Sequence, residues 1–110
     1  MYDSYLKFII CPDMGKEFKR ISKSKKDLNV SFSGDAGGLA FSYDIHEYYI
    51  LLRNDCVAHS FISHEVLHIV ERMAKDRGIR DEESRAYLCG FITKLIYLFL
   101  DNKKIKIEHG

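Results

Sequence analysis

Two histidines four residues apart, with a glutamate directly after the first, make up the segment His64-Glu65-Val66-Leu67-His68. On a helix, residues i and i+4 share a face, with Cβ atoms about 5–6 Å apart. Both imidazoles then reach one metal ion, at Zn–N distances of about 2.0–2.1 Å. Glu65, one residue on, projects beside the ion rather than at it. There its carboxylate can hold a water and take its proton. Such a constellation suits metal-assisted hydrolysis. Its neighbours Phe61, Ile62, Val66, Leu67, Ile69, Val70 and Met73 follow a helical, mostly apolar pattern. Two histidines and a glutamate among them need a reason. The ordinary alternative is a pair of histidines on a helix surface.

A zinc site of this kind requires a third protein ligand and one open position. Asp81, Glu82 and Glu83 are the candidates downstream. Glu83 is favoured, because Glu83, Ala86 and Gly90 share one helix face whose small residues permit close approach. The alternative for at least one of the acids is charge at a helix N-terminus, complementing the dipole. Glu83 follows His68 by only 15 residues. A first helix running to Gly78 leaves Glu83 several residues too high in the hairpin. Asp81, Glu82 or a residue further along the second helix then takes its place.

The elements that must position these groups read as follows. Tyr5 to Cys11 is a strand, punctuated by Pro12 and Asp13. Met14, Phe18 and Ile21 fall at i, i+4, i+7, predicting a short amphipathic helix over 13–23. Its basic face (Lys16, Lys19, Arg20, Lys23, then Lys25 and Lys26) reads as a solvated face rather than a patch for an acidic partner. Leu28, Val30 and Phe32 alternate with polar residues, predicting a strand, and Gly34 to Gly38 is a turn. A phosphate loop there lacks the following Lys-Ser/Thr and helix start. Leu39 to Tyr43 and Glu47 to Leu52 make further strands. A helix runs from about Asp55 to Arg77, closed by Gly78. A second runs from about Asp81 to Leu100, apolar over much of its surface. It is either a core element or an oligomer interface, which leaves room for a homodimer. The last ten residues read equally as an edge strand or a tail.

The composition narrows the function classes. With 110 residues, one domain over 1–110 is expected. Lys plus Arg number 17 against 16 Asp plus Glu, a net charge of +1. That balance argues against a general nucleic-acid or anionic-membrane binder, which needs a field of one sign. Seven Tyr and seven Phe supply a core and disfavour disorder. Cys11, Cys56 and Cys89 are odd in number and far apart, so neither a disulfide framework nor a cysteine zinc knuckle is expected. No signal peptide or membrane span is legible, and a reducing cytoplasm is the expected location. Cys56 and Cys89 read as buried small hydrophobes, with Cys89 a remote alternative ligand. His59 lies about 140° around the helix from His64 and should not share the site. His46 reads as a turn residue and His109 as part of a tail.

The motif and its setting resemble the zincin superfamily of metallopeptidases, and within it the gluzincin type, in which a glutamate ligand follows on a later helix. More narrowly, His64-Glu65-Val66-Leu67-His68, Arg77-Gly78-Ile79 and Glu83-Ser84-Arg85-Ala86-Tyr87-Leu88-Cys89-Gly90-Phe91 resemble small metallopeptidase-like proteins of bacteriophages and prophages. The likeness covers about residues 47–97. The interval between His68 and Glu83 is shorter than the family's pattern. The resemblance implies a minimal zincin-like α+β domain: a small antiparallel-type sheet of three or four strands on the motif helix and a second long helix. It implies one Zn²⁺ per chain on His64, His68 and Glu83, with Glu65 as general base. Tyr87 or Arg85 is the implied oxyanion donor, and a peptide or protein the implied substrate. The substrate would pair with an edge strand, for which Glu47 to Leu52 is the expected candidate, with Tyr48 and Tyr49 beside it. The competing expectations are a metal-stabilised but catalytically idle phage protein, and a regulatory protein whose Lys16–Lys26 segment touches DNA.

Overall fold

The computed structural model describes residues 5–25, 37–43 and 47–107. Six elements follow in order: β1 (Tyr5–Cys11), α1 (Met14–Ser24), β2 (Gly38–Ser42), β3 (Glu47–Arg53), α2 (His59–Arg77) and α3 (Glu82–Asn102). The fold is a small α+β arrangement. The strand expected at Leu28–Phe32 and most of the Gly34–Gly38 turn lie outside the described residues.

Among the described strands β3 is the central one, and it is apolar on both faces. Tyr48 through Leu52 are all buried. Their side chains alternate between two cores. Tyr49 and Leu51 join Cys11, Met14, Ile21 and Phe41 under α1. Tyr48, Ile50 and Leu52 join Ile62, Val66, Ile69, Val70, Ile92 and Ile96 under α2 and α3. One helix therefore covers one face of the sheet and two cover the other. The strand order is β1-β3-β2, with β1 parallel and β2 antiparallel to β3. The sheet is thus mixed, which corrects the expected antiparallel type. It also removes Glu47–Leu52 as an edge strand, since both its edges are already paired. The parallel pair arises because α1 carries the chain across a face before it returns.

Local chemistry sets the helix ends. Pro12 ends β1 and Asp13 caps α1, accepting a hydrogen bond of 3.1 Å from the Lys16 amide. Gly78 follows α2 with φ 67° and ψ 26°, a left-handed conformation that suits glycine. The Gly78 and Ile79 amides bond back to the Lys75 and Ala74 carbonyls, closing α2 in a Schellman motif. Asp81 caps α3, accepting from the Ser84 amide at 2.9 Å and the Ser84 hydroxyl at 2.7 Å. These bonds hold the Asp81 carboxyl below its ordinary range. After α3, Ile105 and Ile107 pack on the main core without forming a strand. Among the described residues, no helix is long and apolar enough to cross a membrane.

The sheet-facing side of α2 carries the stability. Ile69 is fully buried, whereas Leu67 is 56% exposed. Ile69→Ala should therefore cost about 2–5 kcal/mol in urea unfolding, and Leu67→Ala within about 0.5 kcal/mol of nothing. Equal costs would mean that α2 is rotated from this seating.

Candidate metal centre

The rotation of α2 decides which groups meet. Ile62, Val66, Ile69 and Val70 face the core, so His64 and His68 emerge on the exposed side. Their Nε2 atoms point at one another across 3.0 Å. The rings lie 4.6 Å apart at 78° to each other. Two ligands of one tetrahedral zinc, each about 2.0–2.1 Å from it, stand about 3.3 Å apart. The pair is within a few tenths of an ångström of that spacing. At this distance the two nitrogens share a hydrogen bond; with both Nε2 atoms unprotonated they would offer two donors of a type that suits zinc.

Glu65 turns the other way, toward the sheet. It is 5% exposed and is the sole charged residue buried among the described residues. Its carboxylate sits over Gly38, at the start of β2. A Cβ built on Gly38 would stand 2.9 Å from Glu65 Oε2 and 3.0 Å from a Leu52 methyl. Only a glycine leaves that space. Burial pushes the Glu65 carboxyl above its ordinary value, while the positive potential of His64 and His68 draws it partly back. A carboxylate held in this way is poised to exchange a proton nearer neutrality than a solvated one.

Glu65 and His64 open onto a cleft of about 410 Å³, lined also by Gly37, Gly38, Ser60 and Phe61. Gly37 leaves room there as well: a Cβ would collide with Cys56 Sγ at 2.6 Å and the Phe61 ring at 2.7 Å. Beyond His68 a second depression, of about 340 Å³, is lined by His68, Glu71, Arg72, Lys75 and Asp76. The histidine pair therefore stands between two depressions. The two glycines are the site residues that sequence reasoning passed over as a plain turn. Adjacent glycines entering a strand were the available signal, but nothing local says what they face.

The third expected ligand is not brought to the pair. Among the described residues, no group of three His, Cys, Asp or Glu side chains is placed to hold a metal. The hairpin register explains this. His59 Nδ1 meets the Tyr97 hydroxyl at 2.6 Å, and Glu71 meets Arg85 at 3.6 Å. Both contacts set the same alignment of α2 with α3. In it His68 lies level with Leu88, and Glu83 level with Met73. Glu83 is thus displaced about five residues, or some 7 Å, along the axis. Helix α2 runs the full distance to Arg77, which is the condition under which Glu83 stands too high. Glu82 and Glu83 are exposed, and Asp81 is engaged as the α3 cap.

The remaining candidates are placed as follows. Tyr87 is 80% exposed on α3. Arg85 bonds the Arg80 carbonyl and pairs with Glu71. Cys56 is buried as expected, whereas Cys89 is half-buried against the main core. His59 belongs to its Tyr97 contact, away from the pair. His46 and His109 lie outside the described residues. No family model, curated protein or solved structure matches the chain.

Two outcomes follow from Glu65. Gly38→Ala should displace its carboxylate toward water at a cost of about 1–2 kcal/mol. In side-chain carbon NMR, the Glu65 pKa should then fall toward the ordinary glutamate value; an unmoved pKa would contradict the packing. The second concerns stability in chelator. A raised folded-state pKa means that the native state holds the proton more firmly than the unfolded chain. Stability from this group is full below the ordinary glutamate pKa and is lost as pH rises through the raised one. The neutral mimic Glu65→Gln should therefore raise the Tm at pH 7, with the gain shrinking toward pH 4. A gain independent of pH would sink this assignment.

Proposed function

We propose that the chain is a zinc-dependent metallopeptidase, hydrolysing peptide bonds in a peptide or protein substrate. The observation that carries this reading is the convergence of the His64 and His68 Nε2 atoms to 3.0 Å beside a buried Glu65. One Zn²⁺ on His64 and His68 would supply Lewis acidity, polarising the scissile carbonyl and acidifying a water.

The chain's own residues do the rest. Glu65, in its ionised form, accepts the proton of the attacking water. Once protonated, it is stabilised by the apolar burial that opposed its charge, and it delivers the proton to the leaving amine. An extended substrate would pair with β2, which among the described strands lies at the sheet's edge, beside the cleft, and not with the central β3. Phe61 and Gly37 would then line the pocket beside it. Tyr87 and Arg85 are oxyanion donors only if α3 moves toward the pair. The same reading puts the enzyme in a reducing cytoplasm, that of a bacterial host for a phage or prophage protein. Cys11, Cys56 and Cys89 are free thiols, in keeping with it.

One observation favours a second reading. With two donors in place of three among the described residues, the site would suit a metal-stabilised binding module without catalysis.

Metal content and peptide hydrolysis, measured together, separate the readings. The wild-type chain should carry about one zinc and cleave an unstructured protein such as casein. His68→Ala should lose the metal. Glu65→Gln should keep it and lose at least about 100-fold in rate. Zinc retained without any hydrolysis selects the binding module, and absence of zinc binding rejects both readings. Glu83→Ala should leave zinc affinity within about threefold. A loss of tenfold or more would mean that α3 slides along α2 to bring Glu83 in.

A further inference from the structure

His64 and His68 lie on the exposed face of α2, and among the described residues the chain brings them no third ligand. The nearby donors are engaged elsewhere. Glu65 turns to Gly38, Glu71 pairs with Arg85 at 3.6 Å, and His59 meets the Tyr97 hydroxyl. Cys89 packs on the main core. The pair is therefore half of a coordination shell, and it faces outward from the fold.

A structural zinc takes four protein ligands in a tetrahedral array. Two donors held at a fixed spacing on one helix are matched by the same two donors of a second copy. A two-fold axis through the ion brings the two pairs together, since one surface then serves both copies. The geometry of the helix allows it. In a tetrahedron the two N–Zn–N planes stand at right angles. Residues i and i+4 lie nearly along a helix axis, so each plane runs along its own α2. The two helices then cross steeply, and only the turn bearing the pair closely approaches its twin. Depressions on either side, beside Phe61 and beside Arg72, leave that turn standing clear.

We propose that two copies of the chain share one Zn²⁺, held by His64 and His68 of each, in a closed and catalytically silent dimer. The proposal rests on the metal reading of this pair and gives it a regulation. With all four positions filled by imidazole, none is left for a water, and Glu65 has no proton to accept. Zinc supply then sets the form by mass action. Scarce zinc is shared between two chains. Excess zinc gives each pair its own ion and opens the site.

Sedimentation velocity of the full chain at about 50 µM, with zinc-to-chain ratios from zero to about five, tests it. In chelator the chain should be monomeric. Dimer should peak near one zinc per two chains and fall away in excess zinc. His64→Ala and His68→Ala should each stay monomeric at every ratio, with unchanged circular dichroism, since both side chains are exposed. At the dimer peak, zinc X-ray absorption should show four imidazole ligands. A chain that binds zinc yet stays monomeric throughout, or two imidazoles in that spectrum, would overturn the dimer and leave the metal centre standing. So would a dimer that forms in chelator or survives the loss of either histidine. A zinc-dependent dimer with the predicted peak, but no hydrolysis in excess zinc, supports the proposal while rejecting the peptidase. Absence of zinc binding rejects both. If a histidine variant does not fold, the ligand number in the wild-type spectrum decides.

Discussion

The seating of α2 on β3 is the constraint on which the rest depends. Ile62, Val66, Ile69 and Val70 press against Tyr48, Ile50 and Leu52 in one core. A helix has one rotational freedom about its axis, and this packing removes it. With that angle set, His64 and His68 must face outward and Glu65 must face the start of β2. A rotation of one residue, about 100°, would bury the imidazoles in one direction and expose the carboxylate in the other. The geometry of the candidate centre is thus a by-product of apolar packing made at other positions of the same helix.

The buried carboxylate is tolerated because its surroundings are shaped for it. Gly38 withholds the Cβ that would occupy its place, and the neighbouring imidazoles offset part of the desolvation cost. Among the described residues, Glu65 has no hydrogen-bonded cation of the kind that ordinarily accompanies a buried charge. Local instability of this kind persists where a group has chemistry to perform.

Helix α3 has two duties that conflict. It must bury Ile92, Ile96 and Leu100 to close the core, and its register with α2 follows from that packing. The same register keeps Glu83 near the open end of the hairpin, away from His68. The apolar stripe left exposed on its other side (Tyr87, Phe91, Leu95 and Leu98) adds nothing to the core.

Much of the fold was legible from local pattern. Residues Tyr5–Cys11 form a strand and Gly78 closes α2 as expected, because alternation, proline and left-handed glycine act over a few residues. The His64–His68 juxtaposition was legible too, since i, i+4 geometry is internal to one helix. Sheet order was not: five consecutive buried residues in β3 mark a central strand, yet the sequence does not say which strands flank it. Nor did the sequence say that Gly38 floors Glu65 or that Glu83 is out of register with His68. Those are contacts between elements far apart in the chain. Their positions follow from how whole apolar faces pack, and that packing is decided only when the tertiary structure forms.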